Sequence, residues 1–185
     1  MTEKNKKKIE TIAEALSIAS NLLSYPEREH LYDYDTFVSI VAEEINNDLQ
    51  DSENLSLSDL EAEYIRLFVT DIGGVKAPPY ASFYLEKRLM GRSSEDFLNF
   101  VKHCGYEIDE NIIKGPPDHV SLEIGFLSRL LEENDVECAC IMIKKHLLWF
   151  DEFREKVKEN SDLDFYRELV KLISTLIKYT KEAVC

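Results

Sequence analysis

Glu63-Tyr64-Ile65-Arg66-Leu67-Phe68 opens a stretch that runs through Gly73-Gly74 to Pro78-Pro79-Tyr80-Ala81-Ser82-Phe83-Tyr84-Leu85. A second block, Lys114-Gly115-Pro116-Pro117-Asp118-His119, leads into Glu123-Ile124-Gly125-Phe126-Leu127. In a mostly helical chain, each proline pair sets aromatic or polar groups at the start of a helix. Side chains held at rigid helix junctions are the material of a binding site.

Outward from this stretch the chain reads as helix after helix. Ile9, Ile12, Ala13, Leu16, Ala19, Leu22 and Leu23 form one helical stripe, stopped at Tyr25-Pro26. A second helix is expected from about Asp35 to Leu49, with Phe37, Val38, Val41, Ile45 and Leu49 inward. Ser58 with Glu61, Ser93 with Asp96, and Ser161 with Asp164 each have capping-box spacing. Gly91 and Gly105 are expected to stop the helices before them. Asp118 is expected to start a helix that buries Leu122, Phe126, Leu127 and Leu130. A helix from about Asp135 is expected to continue, bent, through Phe153 and Val157. The last carries Tyr166, Leu169, Val170, Ile173, Leu176 and Ile177 inward. No alternating strand pattern and no repeat is visible. The expected fold is all-α, a bundle of eight or nine helices. It is read as one compact domain with halves 1–110 and 111–185 and a hinge in the breaker-rich segment 106–117.

The 185 residues carry 22 basic and 36 acidic side chains, a formal net charge of −14. From Glu29 to Ile65 there are eleven acidic residues and no Lys or Arg. Such a surface repels nucleic acid. It attracts basic peptides and speeds their encounter, and it equally serves as a solvated face. No apolar run is long enough to cross a membrane, and the N-terminus lacks the apolar block of a secretory signal. A cytoplasmic location is expected. There Cys104, Cys138, Cys140 and Cys185 read as partly buried free thiols. Cys138-x-Cys140 with His146 lacks the spacing of a structural zinc site, so no metal is expected.

Asp118 following Pro116-Pro117 reads either as an N-cap or, with His119, as a pair of groups that bind an incoming peptide. Tyr64, Leu67 and Phe68 read as core or as pocket wall. Pro79 with Tyr80 reads as a docking surface or as a loop anchor. No nucleophile motif, His-Glu-x-x-His or P-loop is present, and no cofactor is expected. The alternative to a binding protein is a small nucleotide-binding or hydrolysing enzyme using Asp118, His119 and Lys76.

Tyr64-Ile65-Arg66-Leu67-Phe68, Pro78-Pro79-Tyr80-x-Ser82-x-Tyr84 and Pro117-Asp118-His119-x3-Glu123, with His146-Leu147-Leu148-Trp149 and Phe165-Tyr166, resemble the TorD/DmsD/NarJ family of redox-enzyme maturation chaperones. The resemblance implies an all-helical protein that is not an enzyme. It implies binding of the twin-arginine signal peptide, or another N-terminal segment, of a molybdenum-cofactor oxidoreductase before export. It carries peptide binding onto Tyr64, Leu67, Phe68, Pro79, Tyr80, Asp118 and His119. Tyr64 and Tyr80 stand where some relatives have tryptophan. A monomer and a domain-swapped dimer are both compatible with it.

Overall fold

The computed structural model describes residues 3–45, 55–109 and 115–185. Among them are nine α-helices and no strand. They are α1 (Glu3–Leu22), α2 (His30–Ile45), α3 (Leu57–Tyr64), α4 (Ala81–Glu86), α5 (Arg92–His103), α6 (Val120–Glu132), α7 (Val136–Ile141), α8 (Phe150–Asn160) and α9 (Asp164–Val184). Two π-helical turns, Ile65–Val69 and Met142–His146, extend α3 and α7 directly.

The apolar stripe of α1 is buried along its whole length, so this helix needs partners on several sides. It packs along α6 and also against α2 and α9. Gly125 makes the α1–α6 approach possible, since a Cβ there would stand 2.8 Å from Ser20 Oγ. Ser20 and Ser128 then donate across the seam to the carbonyls of Ser121 and Ala13. The stripe of α9 is buried in full, with Tyr166 among the most enclosed side chains. An aromatic cluster of Tyr64, Phe68, Tyr84, Trp149, Phe153 and Tyr166 joins α3, α4, α8 and α9.

Several sequence expectations move. The second helix starts earlier, at His30, while the expected Leu49 and residues 110–114 of the expected hinge lie outside the described residues. The capping box is Ser56–Asp59, two residues before the expected Ser58–Glu61. Gly91 does not end α4. That helix closes at Lys87 in the left-handed region (φ +57°), and Gly91 is the N-cap of α5. The Glu86 carboxylate receives the Arg92 and Ser93 N–H groups and the Ser93 hydroxyl, which holds its pKa down at about 2. A Cβ at Gly91 would collide with that carboxylate. Leu122 and Phe126 are only half buried, because the inward face of α6 is centred on Ile124, Leu127 and Leu131.

The cysteines are not free. Cys104 pairs with Cys138, and Cys140 with Cys185. Residues two apart on a helix point to different sides, so Cys138 and Cys140 reach different elements. Linear spacing does not reveal that the ends of α5 and α9 flank α7.

Candidate functional site

The two proline pairs meet. Residues before α4 and before α6 run antiparallel, with Tyr80 opposite His119. Ala81 N–H donates to the Asp118 carbonyl at 3.0 Å, and Val120 N–H donates to the Pro79 carbonyl at 2.8 Å. Proline has no N–H, so these bonds are made by the residues that follow the pairs. Two helix N-termini are thereby locked side by side, and the Tyr80 and His119 rings meet edge to face at 5.1 Å. Both residues keep part of their surface in solvent.

Asp118 does not cap the helix that follows it. Its carboxyl turns inward, fully buried, and accepts from Ser82 N–H at 2.7 Å and from the Ser94 hydroxyl at 2.6 Å. Ser82 lies in the first turn of α4, so Asp118 supplies that helix with the acceptor Tyr80 lacks. The N-cap of α6 is His119, whose Nδ1 accepts from Ser121 N–H at 3.2 Å. Burial pulls the His119 pKa down to about 4, against the opposing pull of Asp118. The ring is therefore neutral at pH 7, as a capping acceptor must be.

A folded-state pKa below the unfolded value gives stability that is present above about pH 6.5 and is lost as the pH falls through about 4. We expect His119→Asn, which keeps a capping acceptor but cannot titrate, to flatten the thermal midpoint between pH 6.5 and 4. Calorimetric scans of both proteins across that range check it. An unchanged slope would assign the acid sensitivity elsewhere.

Tyr64, Leu67 and Phe68 lie in the core, at 7%, 0% and 5% exposure. Tyr64 meets the half-exposed Tyr25 edge to face. Its hydroxyl pKa is pushed up to about 12, by burial first and then by the proximity of Tyr80. Pro79 is buried beneath the Tyr80–His119 junction. Of the seven sequence-selected residues, Pro79, Tyr80, Asp118 and His119 form one unit, with Tyr80 and His119 at its surface. Lys76 pairs with Asp71 at 3.1 Å, and no hydrogen bond or ion pair joins it to Asp118 or His119 among the described residues.

The sequence reading gave Glu123 no role of its own. It is buried and accepts from the Trp149 indole N–H at 2.9 Å. Burial raises its pKa well above the ordinary value, against the Trp149 hydrogen bond, and Asp118 adds to the rise. The signal was available: Glu123 stands at helical spacing between Val120 and Leu127, a carboxyl on an apolar stripe. Glu123 forms part of the wall of a cleft of about 460 Å³ with Ala81, Asp96, Phe100, Lys145 and His146. In its lining the His146 ring stacks on Phe100 at 4.5 Å. Of the acidic run, Glu29, Asp35, Glu43 and Asp59 are exposed, whereas Glu63 is buried; Asp48, Asp51 and Glu53 lie outside the described residues. No helix among the described residues is long and apolar enough to cross a membrane.

Residues 33–159 match the profile of a family described as "Nitrate reductase delta subunit". The chain is 31% identical over 147 residues to a chaperone protein TorD of Vibrio parahaemolyticus, covering 71% of this chain and 66% of that one. It is 31% identical over 122 residues to a TorD chaperone of Actinobacillus succinogenes, covering 65% of this chain and 62% of that one. Against a TorD chaperone of Shewanella pealeana, identity is 27% over 168 residues, with 84% and 71% covered. The match thus spans somewhat under two thirds of the length of the first two relatives. All three are named chaperones. In fold, the chain is similar to the crystal structure of a candidate redox enzyme maturation protein from Archaeoglobus fulgidus. The TM-score is 0.65 at 23% identity, over 90% of this chain and 92% of that one.

Proposed function

Because this chain belongs to the nitrate reductase delta subunit family, the family of the TorD chaperones, we propose that it is a cytoplasmic maturation chaperone. Its client is a molybdenum-cofactor oxidoreductase, and its ligand is the client's twin-arginine signal peptide or another N-terminal segment. The observation that carries the reading is the Tyr80–His119 platform, where two proline-led helix starts hold an aromatic pair at the surface. A rigid ring edge beside a helix terminus offers apolar area at little entropic cost. The net charge of −14 favours a ligand with two guanidinium groups. Asp118, through its bonds to Ser82 and Ser94, fixes the geometry of the platform, and Pro79 is buried next to Tyr80, while Tyr64, Leu67 and Phe68 act from the core.

Calorimetry with a synthetic twin-arginine signal peptide tests this. We expect binding that weakens as salt is raised. Tyr80→Ala should weaken it at least about tenfold, the effect of losing an aromatic anchor. Absence of binding to any signal-bearing oxidoreductase subunit of the source organism would overturn the proposal, as would equal binding by Tyr80→Ala.

A further inference from the structure

Both cystines leave a single six-residue helix, α7. Cys138 and Cys140 are two residues apart, about 200° around the axis, so α7 is stapled on two sides. Cys138 ties it to Cys104, the C-cap of α5, with Cα atoms 6.2 Å apart. Cys140 ties it to Cys185, the C-cap of α9, at 5.3 Å. The π turn that follows α7 carries Lys145 and His146, one wall of the cleft described above. The same cleft is lined by α5 with Asp96, Asn99, Phe100 and His103, and the Phe100 ring stacks on His146 where the two elements meet. Cleft walls, α7 and the Cys104–Cys138 bridge therefore form a closed loop, in which the bridge sets how far the walls can part.

We propose that the four cysteines are a redox switch on this cleft: with both pairs oxidised α7 and its π turn are clamped against α5, and with them reduced the π-turn wall is released. The inference rests on the cytoplasmic reading above only for its starting state, since thiols in a reducing compartment stay reduced unless a redox signal acts. The oxidant is a low-molecular-weight disulfide of the glutathione class. One cysteine thiolate attacks it, breaking its S–S bond and releasing one small thiolate. The second cysteine thiolate attacks the protein sulfur of the mixed disulfide and releases the other. The protein gains one S–S bond and gives up two electrons and two protons, all of which end on the two small thiols. Cys185 is exposed and Cys140 half-buried, so this pair reacts first; Cys138 is buried, so the Cys104–Cys138 bridge follows.

The test uses the whole chain and no client, so its outcome is independent of peptide binding. The protein is equilibrated in buffers of graded reduced-to-oxidised glutathione, thiols are alkylated, and mass gives the number trapped. Amide hydrogen exchange is followed in parallel over 136–147. We expect two successive two-thiol transitions. Exchange of the Met142–Leu147 amides should rise at least tenfold at the transition in which Cys104–Cys138 is reduced, and not at the other. Cys104→Ser should reproduce that rise in oxidising buffer, and Cys185→Ser should not. The proposal fails if four thiols are trapped at every ratio, or if the bridges survive the most reducing buffer. It also fails if exchange of the π turn is the same in both states. The titration with wild-type protein decides the matter even where a serine variant folds poorly.

Discussion

Asp118→Ala should lower the unfolding free energy by about 3 kcal/mol. The carboxyl is fully buried and has two donors, Ser82 N–H and the Ser94 hydroxyl. Truncation strands both where no water reaches, at about 1–3 kcal/mol for each buried group left without its partner. It also uncaps α4, whose six residues are too few to stand without tertiary support. For a chain of this size, 3 kcal/mol corresponds to roughly 6–12 °C in thermal midpoint. Asp118→Asn should cost less, because its amide oxygen still accepts from one donor while its NH₂ faces the other. Urea denaturation of the three proteins measures the effect. A loss below about 1 kcal/mol together with abolished peptide binding would instead make Asp118 a ligand-contacting group. Tyr80→Ala supplies the contrast: Tyr80 keeps solvent exposure and its side chain makes no capping bond, so binding should fall while stability changes little.

How much of this was legible follows from the range of each interaction. The stripes of α1 and α9 were read residue by residue, because burial of a helix face is written in its own period. The meeting of the two proline pairs was half legible: each announces a helix start, but nothing local says the starts pair. Caps went wrong for physical reasons. Ser56-Leu57-Ser58-Asp59 offers overlapping cap patterns, and the chain uses the earlier serine. At α5 the carboxylate of Glu86 satisfies the first N–H groups, so Ser93 is a donor rather than the N-cap. Asp118 has the sequence signature of an N-cap and does cap a helix, but it is α4, thirty-six residues earlier than itself in the chain. The cystines were missed for the same reason, since proximity of α5, α7 and α9 is a tertiary fact.

Glu63→Ala should cost a comparable amount, about 3 kcal/mol at pH 7, through a different element. Glu63 is 5% exposed at the end of α3 and accepts four hydrogen bonds. Arg66 grips it with Nε at 2.7 Å and Nη2 at 2.8 Å, and the Ser161 hydroxyl and Asp162 N–H add bonds at 2.9 and 2.7 Å. Arg66 Nη2 also donates to the Asn160 carbonyl at 2.6 Å. One carboxylate thus fastens α3 to the α8–α9 turn, ninety-eight residues away at Ser161. Removing one partner of a buried pair costs about 3–5 kcal/mol, and the lower end applies because Arg66 retains solvent and Asp162 as partners. The pH dependence separates this from a packing loss. Burial pushes the Glu63 pKa up, but the Arg66 bond, with those from Asp162 and Ser161, outweighs it and the net direction is down. A depressed carboxylate contributes stability that is present above its unfolded pKa of about 4.5 and is lost as the pH falls through the folded value. The gap in urea midpoint between wild type and Glu63→Ala should therefore narrow as the pH is lowered from 7 to 3. A gap that stays constant would mean the side chain matters by volume alone, and the carboxylate would lose its place as the clasp between α3 and the α8–α9 turn.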